Sequence, residues 1–338
     1  MEKAQAYIRI QELRNMINEA NRRYYVENSP TLSDYEFDML LKELEALEDE
    51  HPELKTGDSP TQRVGSDLKT RIPKAGGKEF DQYPHKYPML SLGNTYDMTE
   101  LQAFAERAAK SIGNAFTYSC ELKFDGTAIC LTYKDGRLFR ALTRGDGSVG
   151  DDVTGNVKHI SNIPQELKVP KGFVPSLLQP QPWPEEFEIR GEIYMPWPAF
   201  ERLNEERVKD EEAPFANPRN AASGSLKLID SSMVANRGLE CTLYHLLGED
   251  LPFQTHDQAL KAAESWGLPV SDKRKICKSI EEIEDFINYW DTERKTLLFA
   301  TDGIVVKINE LPYQEELGYT AKFPRWAVAY KFKAEQAL

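Results

Sequence analysis

The sequence lacks any long apolar run, and this absence excludes several classes of protein. Hydrophobic residues make up 40% and charged residues 29% of its 338 positions, a composition typical of soluble globular proteins. No stretch approaches the roughly 20 apolar residues that a membrane-spanning helix needs. Residues 1–5 lead into an amphipathic pattern without the apolar core of a secretory signal. We therefore expect a cytoplasmic protein that has no membrane partner.

Cysteine is also scarce. The four cysteines lie far apart in the chain, at Cys120, Cys130, Cys241 and Cys277. None of them forms the C-x-x-C spacing that is typical of zinc sites, and their positions do not suggest a disulfide framework. We expect each of them to be a small buried hydrophobic side chain.

Positive charge is the third deficit. The chain carries 42 Lys and Arg residues against 55 Asp and Glu residues, a formal net charge of −13. Tight binding to nucleic acid needs clustered Lys and Arg at the phosphates, so this chain alone is not expected to hold nucleic acid tightly. A local basic groove remains compatible with this balance. The length itself predicts two domains, one of them large.

The first 55 residues predict a helical hairpin. Apolar side chains recur at helical spacing through residues 3–26, and the pattern breaks at residues 28–30. Ser33 and Glu36 then stand three apart, as in a capping box, before a second amphipathic run that ends near residues 51–52. Asp34 and Asp38 lie one turn apart on this second helix. Asp34 is equally well explained as a charge that favours the helix amino terminus.

The remaining chain predicts an α+β fold with antiparallel sheets. Residues 56–87 have little regular pattern and are interpreted as a linker, with a first domain at 1–70 and a second at 71–338. A tight turn at Asp135-Gly136 joins two predicted strands. Further strands and intervening helices are expected, and the proline-rich run 169–184 is interpreted as a surface insertion. The expected strands are 127–133, 137–143, 187–194, 241–247, 303–308 and 326–332, and the expected helices are about 97–112, 197–210, 256–266 and 280–296.

Lys123 is the strongest candidate for chemistry. It stands in the run Glu121-Leu122-Lys123-Phe124-Asp125-Gly126, where an apolar strand is expected to give way to a turn. A lysine amine is a good nucleophile only when it is neutral, and its ordinary pKa is about 10.4. Reaction near neutral pH therefore requires burial and neighbouring cations that lower this pKa. The short motif alone is weak, because a lysine before an Asp-Gly turn is usually only a solvated residue.

Four further charged residues follow Lys123 in an informative order. They are Arg144, Glu192, Lys307 and Lys331, each at or within a predicted strand or its end. Two more lysines directed at one pocket would neutralise phosphate charge and lower the pKa of Lys123. Together with Glu121 and Lys123, this order resembles the signature of the covalent nucleotidyltransferase superfamily. That superfamily contains DNA ligases, RNA ligases and mRNA capping enzymes.

Other motifs resemble one branch of this superfamily, the bacterial NAD-dependent DNA ligases. The resemblance covers essentially the whole chain, and the amino-terminal hairpin has no counterpart in ATP-dependent relatives. The motifs that carry it are Tyr24-Tyr25, Asp34-Tyr35-Glu36-Phe37-Asp38, and the runs 51–54, 58–65, 89–94 and 217–227.

The resemblance implies that Lys123 attacks the α-phosphorus of NAD to form lysyl-AMP, with nicotinamide mononucleotide released. It implies that Glu121 recognises adenine, that Arg144 and Glu192 hold the ribose, and that Mg²⁺ offsets charge at phosphorus. Lys307 and Lys331 are expected to hold the phosphate. Contacts to NAD are implied for Tyr24, Tyr25, Asp34, Tyr35, Glu36, Phe37, Asp38, Ser91, Leu92, Glu121, Arg144, Glu192, Lys307 and Lys331. Tyr24 would stack on the cationic nicotinamide ring, although packing within the hairpin is an alternative explanation.

The resemblance also implies a DNA substrate. The AMP would pass to the 5′-phosphate of a DNA nick, which the full-length enzyme would then seal in replication and repair. Arg219 and Lys227 match family positions that contact DNA, and Arg294 is a further candidate. Full ligases of this kind continue into an OB-fold, a zinc module, helix-hairpin-helix motifs and a BRCT domain. We therefore expect this chain to be an adenylation fragment, monomeric and weak in binding nicked DNA, with the family's zinc site outside it.

Four positions depart from the family pattern. Tyr25 stands where the family often has histidine, and Phe37 replaces a frequent tyrosine and so lacks its hydroxyl. Gly93 replaces a common aspartate, and for this reason only Ser91 and Leu92 are assigned to that run. Lys227 replaces a usual arginine and keeps the charge without the bidentate fork.

Two other functions remain open from the sequence. The first is a nucleotidyltransferase of the same superfamily that uses ATP or GTP, which would not need the hairpin. The second is a non-catalytic nucleic-acid-binding scaffold, which the intact set of pocket residues and the negative charge both disfavour. The orientation of the hairpin is not readable from the sequence. We expect it to close over NAD and to swing away afterwards.

Overall fold

The amino-terminal segment forms the predicted helical hairpin. A computed structural model describes residues 3–25, 31–62, 80–177, 179–320 and 322–333, without the side chains of Ala4, Tyr24, Tyr25 and Asp34. Helix α1 spans Lys3–Tyr25 and helix α2 spans Asp34–Glu50. Ser33 caps α2, and the expected capping box with Glu36 is present. The two helices bury Ile10, Leu13, Ile17 and Leu44 between them, which stabilises the hairpin by apolar burial.

The rest of the described chain alternates short helices with strands. The later helices are α3 (Met98–Ile112), α4 (Thr154–Val157), α5 (Trp197–Lys209), α6 (Pro218–Leu226), α7 (His256–Ser265), α8 (Ile280–Glu293) and α9 (Leu311–Leu317). The strands are β1 (Gln82–Pro84), β2 (Gly93–Thr95), β3 (Tyr118–Phe124), β4 (Thr127–Lys134), β5 (Arg137–Thr143), β6 (Val149–Asp151), β7 (Glu186–Tyr194), β8 (Glu240–Leu247), β9 (Arg274–Cys277), β10 (Thr301–Ile308) and β11 (Ala327–Lys331).

Two sheets carry the larger part of the molecule. One has the strand order β2-β11-β10-β3-β9 and the other has the order β5-β4-β7-β8, while β1 and β6 pair separately. The pairs are antiparallel except that β11 and β2 run parallel. Each sheet buries its own apolar cluster, centred on Ile189 in the four-stranded sheet and on Ile304 in the five-stranded sheet. Strands β3 and β4 are joined by a short turn, so the two sheets meet directly after Lys123.

The structure confirms the expected fold class of helices with mainly antiparallel sheets. The turn at Asp135 and Gly136 has positive φ at both residues, 48° and 75°, as an Asp-Gly hairpin requires. All four cysteines are buried and free. Within the described ranges, the structure contains no helix that is long and apolar enough to cross a membrane. The parallel β2–β11 pair departs from the predicted antiparallel pattern.

Several short elements were not predicted from the sequence. Strands β1, β2 and β6 have three residues each, and β9 has four, so alternation has too little length to be recognised. Helix α6 begins at a proline after the Asn217 cap but contains serine and glycine, which are poor helix formers. These elements are fixed by pairing and packing rather than by their local sequence.

Candidate active site

A cavity of about 830 Å³ lies where the hairpin, the two sheets and helix α6 meet. This volume is within the range of pockets that enclose small ligands. Its lining combines the hairpin residues Phe37 and Asp38 with strand residues of both sheets. The predicted site residues that line this cavity are Phe37, Asp38, Ser91, Leu92, Glu121, Lys123, Arg144, Glu192, Arg219, Lys227, Lys307 and Lys331.

Strand register explains why Lys123 and Lys331 share one wall of the cavity. Residues directly opposite on paired strands place their side chains on the same face. Gly303 on β10 lies opposite both Lys123 on β3 and Lys331 on β11. A Cβ at Gly303 would stand 2.1 Å from the carbonyl oxygen of Tyr330, so the strand can carry only glycine at this point without shifting. The two lysines therefore flank a position that has no side chain.

Asp302 connects these two lysines. Its carboxylate accepts hydrogen bonds from Lys123 Nζ at 3.1 Å to each oxygen and from Lys331 Nζ at 2.6 Å. The side chains of Lys123 and Asp302 are each about one quarter exposed, at 25% and 23%. Burial acts to raise the pKa of Asp302, but Lys123 and Lys331 outweigh it and lower that pKa to about 2. Asp302 is therefore an anion held between Lys123 and Lys331.

The expectation that neighbouring lysines lower the pKa of Lys123 is wrong. Burial does lower this pKa, but the carboxylates of Asp302, Glu192 and Asp125 outweigh burial and raise it above its ordinary value. The physical reason is that three carboxylates, rather than cations, dominate the surroundings of the amine. Lys123 is therefore held as a charged ammonium in this state.

Lys307 lies at a different part of the cavity from Lys123. It is 4% exposed, and its Nζ donates to Glu121 Oε2 at 3.0 Å and to the carbonyl of Tyr244 at 2.8 Å. The other oxygen of Glu121 accepts from Ser119 Oγ at 3.0 Å and lies 2.7 Å from His256 Nε2. Burial acts to raise the pKa of Glu121, but Lys307 and His256 lower it to about 2. Lys307 is therefore engaged by Glu121, whereas Lys331 is engaged by Asp302.

Glu192 and Arg144 line the wall formed by the four-stranded sheet and its β5–β6 connection. Burial raises the pKa of Glu192 to about 8, against the opposing effects of Lys123 and Arg144. Arg144 Nη1 donates to Ser91 Oγ at 3.5 Å, which links the β5–β6 turn to the segment before β2. Ser91 and Leu92 reach the cavity through this segment. The Glu192 carboxyl accepts hydrogen bonds when ionised and can also donate one when protonated, so it can bind a sugar hydroxyl in either form.

The three basic residues expected at DNA divide into two groups. Arg219 on α6 pairs with Asp125 at 3.4 Å, and Lys227, just after α6, pairs with Asp151 at 2.8 Å. Both basic side chains line the cavity. Arg294 follows α8 and is not among the lining residues; its guanidinium lies 4.7 Å from the ring centre of Phe332. Only the first two are therefore brought to the Lys123 site.

The hairpin contacts the larger domain through one face of α2. The carboxylate of Asp38 accepts hydrogen bonds from Asn94 Nδ2 and from the hydroxyl of Tyr96. The Tyr35 ring meets the Tyr96 ring edge-on at 5.1 Å, and Lys42 pairs with Glu100. Asp38 therefore joins the hairpin to the segment that begins with β2, while one side of α2 faces the cavity.

The other predicted hairpin residues either do not line the cavity or have side chains that the structure does not describe. Tyr35 is 54% exposed, and neither it nor Glu36 is among the lining residues. The carboxylate of Glu36 is engaged in the cap, where the backbone amide and hydroxyl of Ser33 each donate to it at 2.8 Å. The side chains of Tyr24, Tyr25 and Asp34 lie outside what the structure describes.

Three site residues were missed by the sequence interpretation. Asp302 directly precedes the predicted strand 303–308, and His256 begins the predicted helix 256–266. Neither position carries a sequence pattern that indicates its side-chain partner. Arg190 is 9% exposed and donates to the carbonyls of Pro88 at 3.0 Å and Tyr87 at 2.6 Å, which holds the segment leading to Ser91. The Asp302–Lys123 contact spans 179 positions, so no local pattern could have indicated it.

A strand-borne lysine lines a large cavity together with arginine, lysine and carboxylate side chains, an arrangement that is suited to binding a phosphate-containing ligand. Residues 77–335 match the NAD-dependent DNA ligase adenylation domain, and residues 3–65 match the DNA ligase-like N-terminal NAD⁺-binding domain. The chain belongs to the NAD-dependent DNA ligase adenylation domain family.

Named relatives agree with this assignment. A DNA ligase of Phocaeicola vulgatus is 54% identical over 330 residues, covering 98% of this chain and 47% of that protein. A DNA ligase of Bacteroides fragilis is 52% identical over 330 residues, with the same two coverages. A DNA ligase of Cytophaga hutchinsonii is 50% identical over 337 residues, covering 100% of this chain and 48% of that protein. The chain thus spans about half the length of the curated relatives it matches.

Proposed function

We propose that this chain transfers the AMP half of NAD to its own Lys123 and releases nicotinamide mononucleotide. The observation that carries the proposal is that one cavity joins Lys123 to Asp38 of the hairpin and to Glu121 of the larger domain. A dinucleotide needs two separate recognition regions with the reactive phosphorus between them. The hairpin side and the Glu121 side of this cavity are suited to those two regions. The boundary near residue 70, with segments at 1–70 and 71–338, is proposed on the same basis.

The reaction forms one bond and breaks one bond. Lys123 Nζ forms the bond to the α-phosphorus, and the bond from that phosphorus to the oxygen of nicotinamide mononucleotide breaks, with the electron pair leaving on that oxygen. Lys123 must first lose a proton. Asp302, with both oxygens 3.1 Å from Nζ, is within the reach required of a general base. Exclusion of water by bound NAD favours the neutral amine and carboxylic acid over the ion pair, which supports this proton transfer.

The leaving group is proposed to bind at the hairpin. Asp38 presents a carboxylate that suits a ribose hydroxyl or the cationic nicotinamide ring, and Phe37 lines the same part of the cavity. Asp38 accepts hydrogen bonds from Asn94 and Tyr96, so binding of the leaving group would compete with these contacts. Tyr24, Tyr25 and Asp34 are proposed to complete this region, with Tyr35 and Glu36 nearby on α2. Movement of the hairpin after release of the leaving group is also a proposal.

The AMP half is proposed to lie against the larger domain. Glu121 and Lys307 present an acceptor and a donor 3.0 Å apart, which suits the edge of an adenine ring. Lys307 is therefore proposed at the base rather than at the phosphate. Arg144 and Glu192 are proposed at the ribose, with Ser91 and Leu92 beside them. Lys331 remains the proposed phosphate contact, because its amine lies on the wall shared with Lys123.

Magnesium is also proposed, although the described residues include no group of three side chains that could hold a metal ion on their own. The carboxylates near Lys123 supply hard oxygen ligands, and Mg²⁺ commonly takes one or two carboxylates together with substrate phosphates and water. Asp125 and Glu192 are the residues that would hold it. When bound, the ion would offset negative charge at phosphorus.

The later steps are proposed for the longer ligase. AMP would pass from Lys123 to the 5′-phosphate of a DNA nick, and the nick would then be sealed in replication and repair. Arg219 and Lys227 are proposed to contact DNA because they line the cavity around Lys123. Arg294 is retained as a weaker candidate. With a net charge of −13, this chain is proposed to be a cytoplasmic monomer that binds nicked DNA weakly.

Intact-mass measurement after incubation with NAD or with ATP tests the proposal. In the presence of Mg²⁺, NAD should add the mass of one AMP to the protein, while ATP should add none. Adduct formation from ATP but not from NAD would favour the ATP-dependent alternative instead. Tight binding to nicked DNA without any adduct would favour the scaffold.

A further inference from the structure

The buried carboxylate of Glu121 has unequal surroundings at its two oxygens. Oε1 lies 3.0 Å from Ser119 Oγ and 2.7 Å from His256 Nε2. Oε2 lies 3.0 Å from Lys307 Nζ, its one hydrogen-bonded partner within the described ranges. A carboxylate oxygen has about two acceptor positions. Oε1 is therefore saturated by the protein, and Oε2 keeps one position for a ligand.

The proton on His256 can be assigned from these contacts. His256 is 1% exposed, and burial together with the charge of Lys307 lowers its pKa, so the ring is neutral at neutral pH. A neutral imidazole that faces an ionised carboxylate must carry its proton on the facing nitrogen. His256 Nε2–H therefore donates to Glu121 Oε1. Nε2 cannot then accept from Lys307, which lies 3.3 Å away, so one Lys307 hydrogen remains available.

The position of His256 is fixed by the backbone around it. Thr255 caps α7 in a capping box with Gln258, and His256 is the first residue of the helix. The His256 amide donates to the carbonyl of Asn309 at 2.7 Å, two residues after Lys307 on the adjoining strand. The His256 ring and Lys307, which both contact Glu121, are thus positioned by two backbone segments that are hydrogen-bonded to each other.

We propose that His256 is a positioning residue for base recognition, which holds Glu121 so that Oε2 faces the 6-amino group of adenine. This inference rests on the proposed function. Adenine offers a donor at its 6-amino group and an acceptor at N1, which complement Glu121 Oε2 and the remaining Lys307 hydrogen. Hypoxanthine offers an acceptor and a donor at the same two places, so a fixed Glu121 rejects it. A Glu121 side chain that can turn loses this distinction.

Nicotinamide hypoxanthine dinucleotide is the probe that separates this role from general structural support. The rate of lysyl-AMP or lysyl-IMP formation is measured by intact mass over a range of NAD and analogue concentrations. A hydrogen bond to a charged group corresponds to a preference of roughly 10- to 100-fold, and we expect the wild type to prefer NAD to this extent. His256→Leu should lose about tenfold of this preference through a higher half-saturating concentration of NAD, with the limiting rate constant on NAD changed less than about threefold.

A matched pair of variants keeps the test decisive if His256→Leu fails to fold. Gln reaches about as far as Nε2 of histidine and can donate to Glu121, whereas Asn is one methylene shorter and cannot. His256→Gln should therefore retain the preference for NAD, and His256→Asn should lose it. His159→Gln, at an exposed histidine, is the control and should match the wild type.

The outcomes distinguish two failures. A wild type that forms no adduct with NAD contradicts the proposed function itself. A wild type that prefers NAD, together with equal preferences in the Gln and Asn variants, overturns the positioning role alone. A rise in the half-saturating concentration by the same factor for both dinucleotides in His256→Asn would likewise overturn it, because that result describes a merely structural residue.

Discussion

Asp302→Asn tests why Lys123 carries a positive charge. The substitution removes a negative charge 3.1 Å from Lys123 Nζ while preserving the shape of the side chain. At an effective dielectric constant of about 20, that Coulomb interaction is on the order of 5 kcal/mol. Both side chains are about one quarter exposed, so we reduce this figure to roughly 2 kcal/mol for solvent screening. Lys331 also loses its hydrogen bond to Asp302, so its positive charge acts more strongly on Lys123.

Both effects favour the neutral amine, so the pKa of Lys123 should fall. A change of roughly 2 kcal/mol corresponds to more than a tenfold rise in the neutral fraction at a fixed pH below that pKa. The measurement is competitive acetylation with trace reagent between pH 7 and 11, read by peptide mass spectrometry without any nucleotide. Exposed Lys171 serves as the internal reference.

In Asp302→Asn the labelling rate of Lys123 relative to Lys171 should rise at each pH in this range, because more of the Lys123 amine is neutral. Asp272→Asn, at a side chain that is 81% exposed, is the matched control and should leave Lys123 unchanged. An unchanged or lower relative labelling rate for Lys123 in Asp302→Asn would refute the electrostatic reasoning.

Three further substitutions test other contacts. Burial raises the pKa of Glu192 to about 8, so the free energy of unfolding of the wild type should fall as pH rises from about 4.5 to 8. Glu192→Gln should reduce this fall by roughly 1–3 kcal/mol, measured by urea unfolding. An equal fall in both proteins would contradict this prediction. Lys307→Met leaves Glu121 buried without its cation and should lower the free energy of unfolding by about 3–5 kcal/mol. The double variant Lys307→Met/Glu121→Leu should lose less stability than the sum of the two single variants. Additive losses would argue against a coupled pair. Tyr96→Phe removes a hydrogen-bond donor to Asp38 and should lower the free energy of opening of α2 by about 1.5–3 kcal/mol, so that its amides exchange faster. Unchanged hydrogen exchange would show that this contact does not hold the hairpin.

Local sequence patterns were sufficient for the elements that depend on local rules. The Ser33–Glu36 capping box and the Asp135-Gly136 turn need only their own residues, and both are present. The sheet order was not predictable, because β2, a three-residue strand, finds β11 more than 200 positions later. Such a pairing depends on the packing of the whole domain.

In the candidate site, too, some features could be predicted from the sequence and others could not. The order of charged residues from Glu121 to Lys331 indicated which side chains meet, and all of that set line one cavity. What each side chain contacts was not predictable. Lys307 pairs with Glu121 and Asp302 lies between Lys123 and Lys331 because register and burial set these partners. The direction of the pKa shift at Lys123 follows from those partners, and so it could be obtained only from the structure.

The central claim is that Lys123 itself receives AMP from NAD. The most direct test is incubation with NAD and Mg²⁺, followed by intact-mass measurement and peptide mapping under conditions that preserve a phosphoramide. The wild type should gain one AMP, located on the peptide that contains Lys123, and Lys123→Arg should gain none because arginine stays protonated. An AMP adduct in Lys123→Arg, or no adduct in the wild type, would contradict the claim.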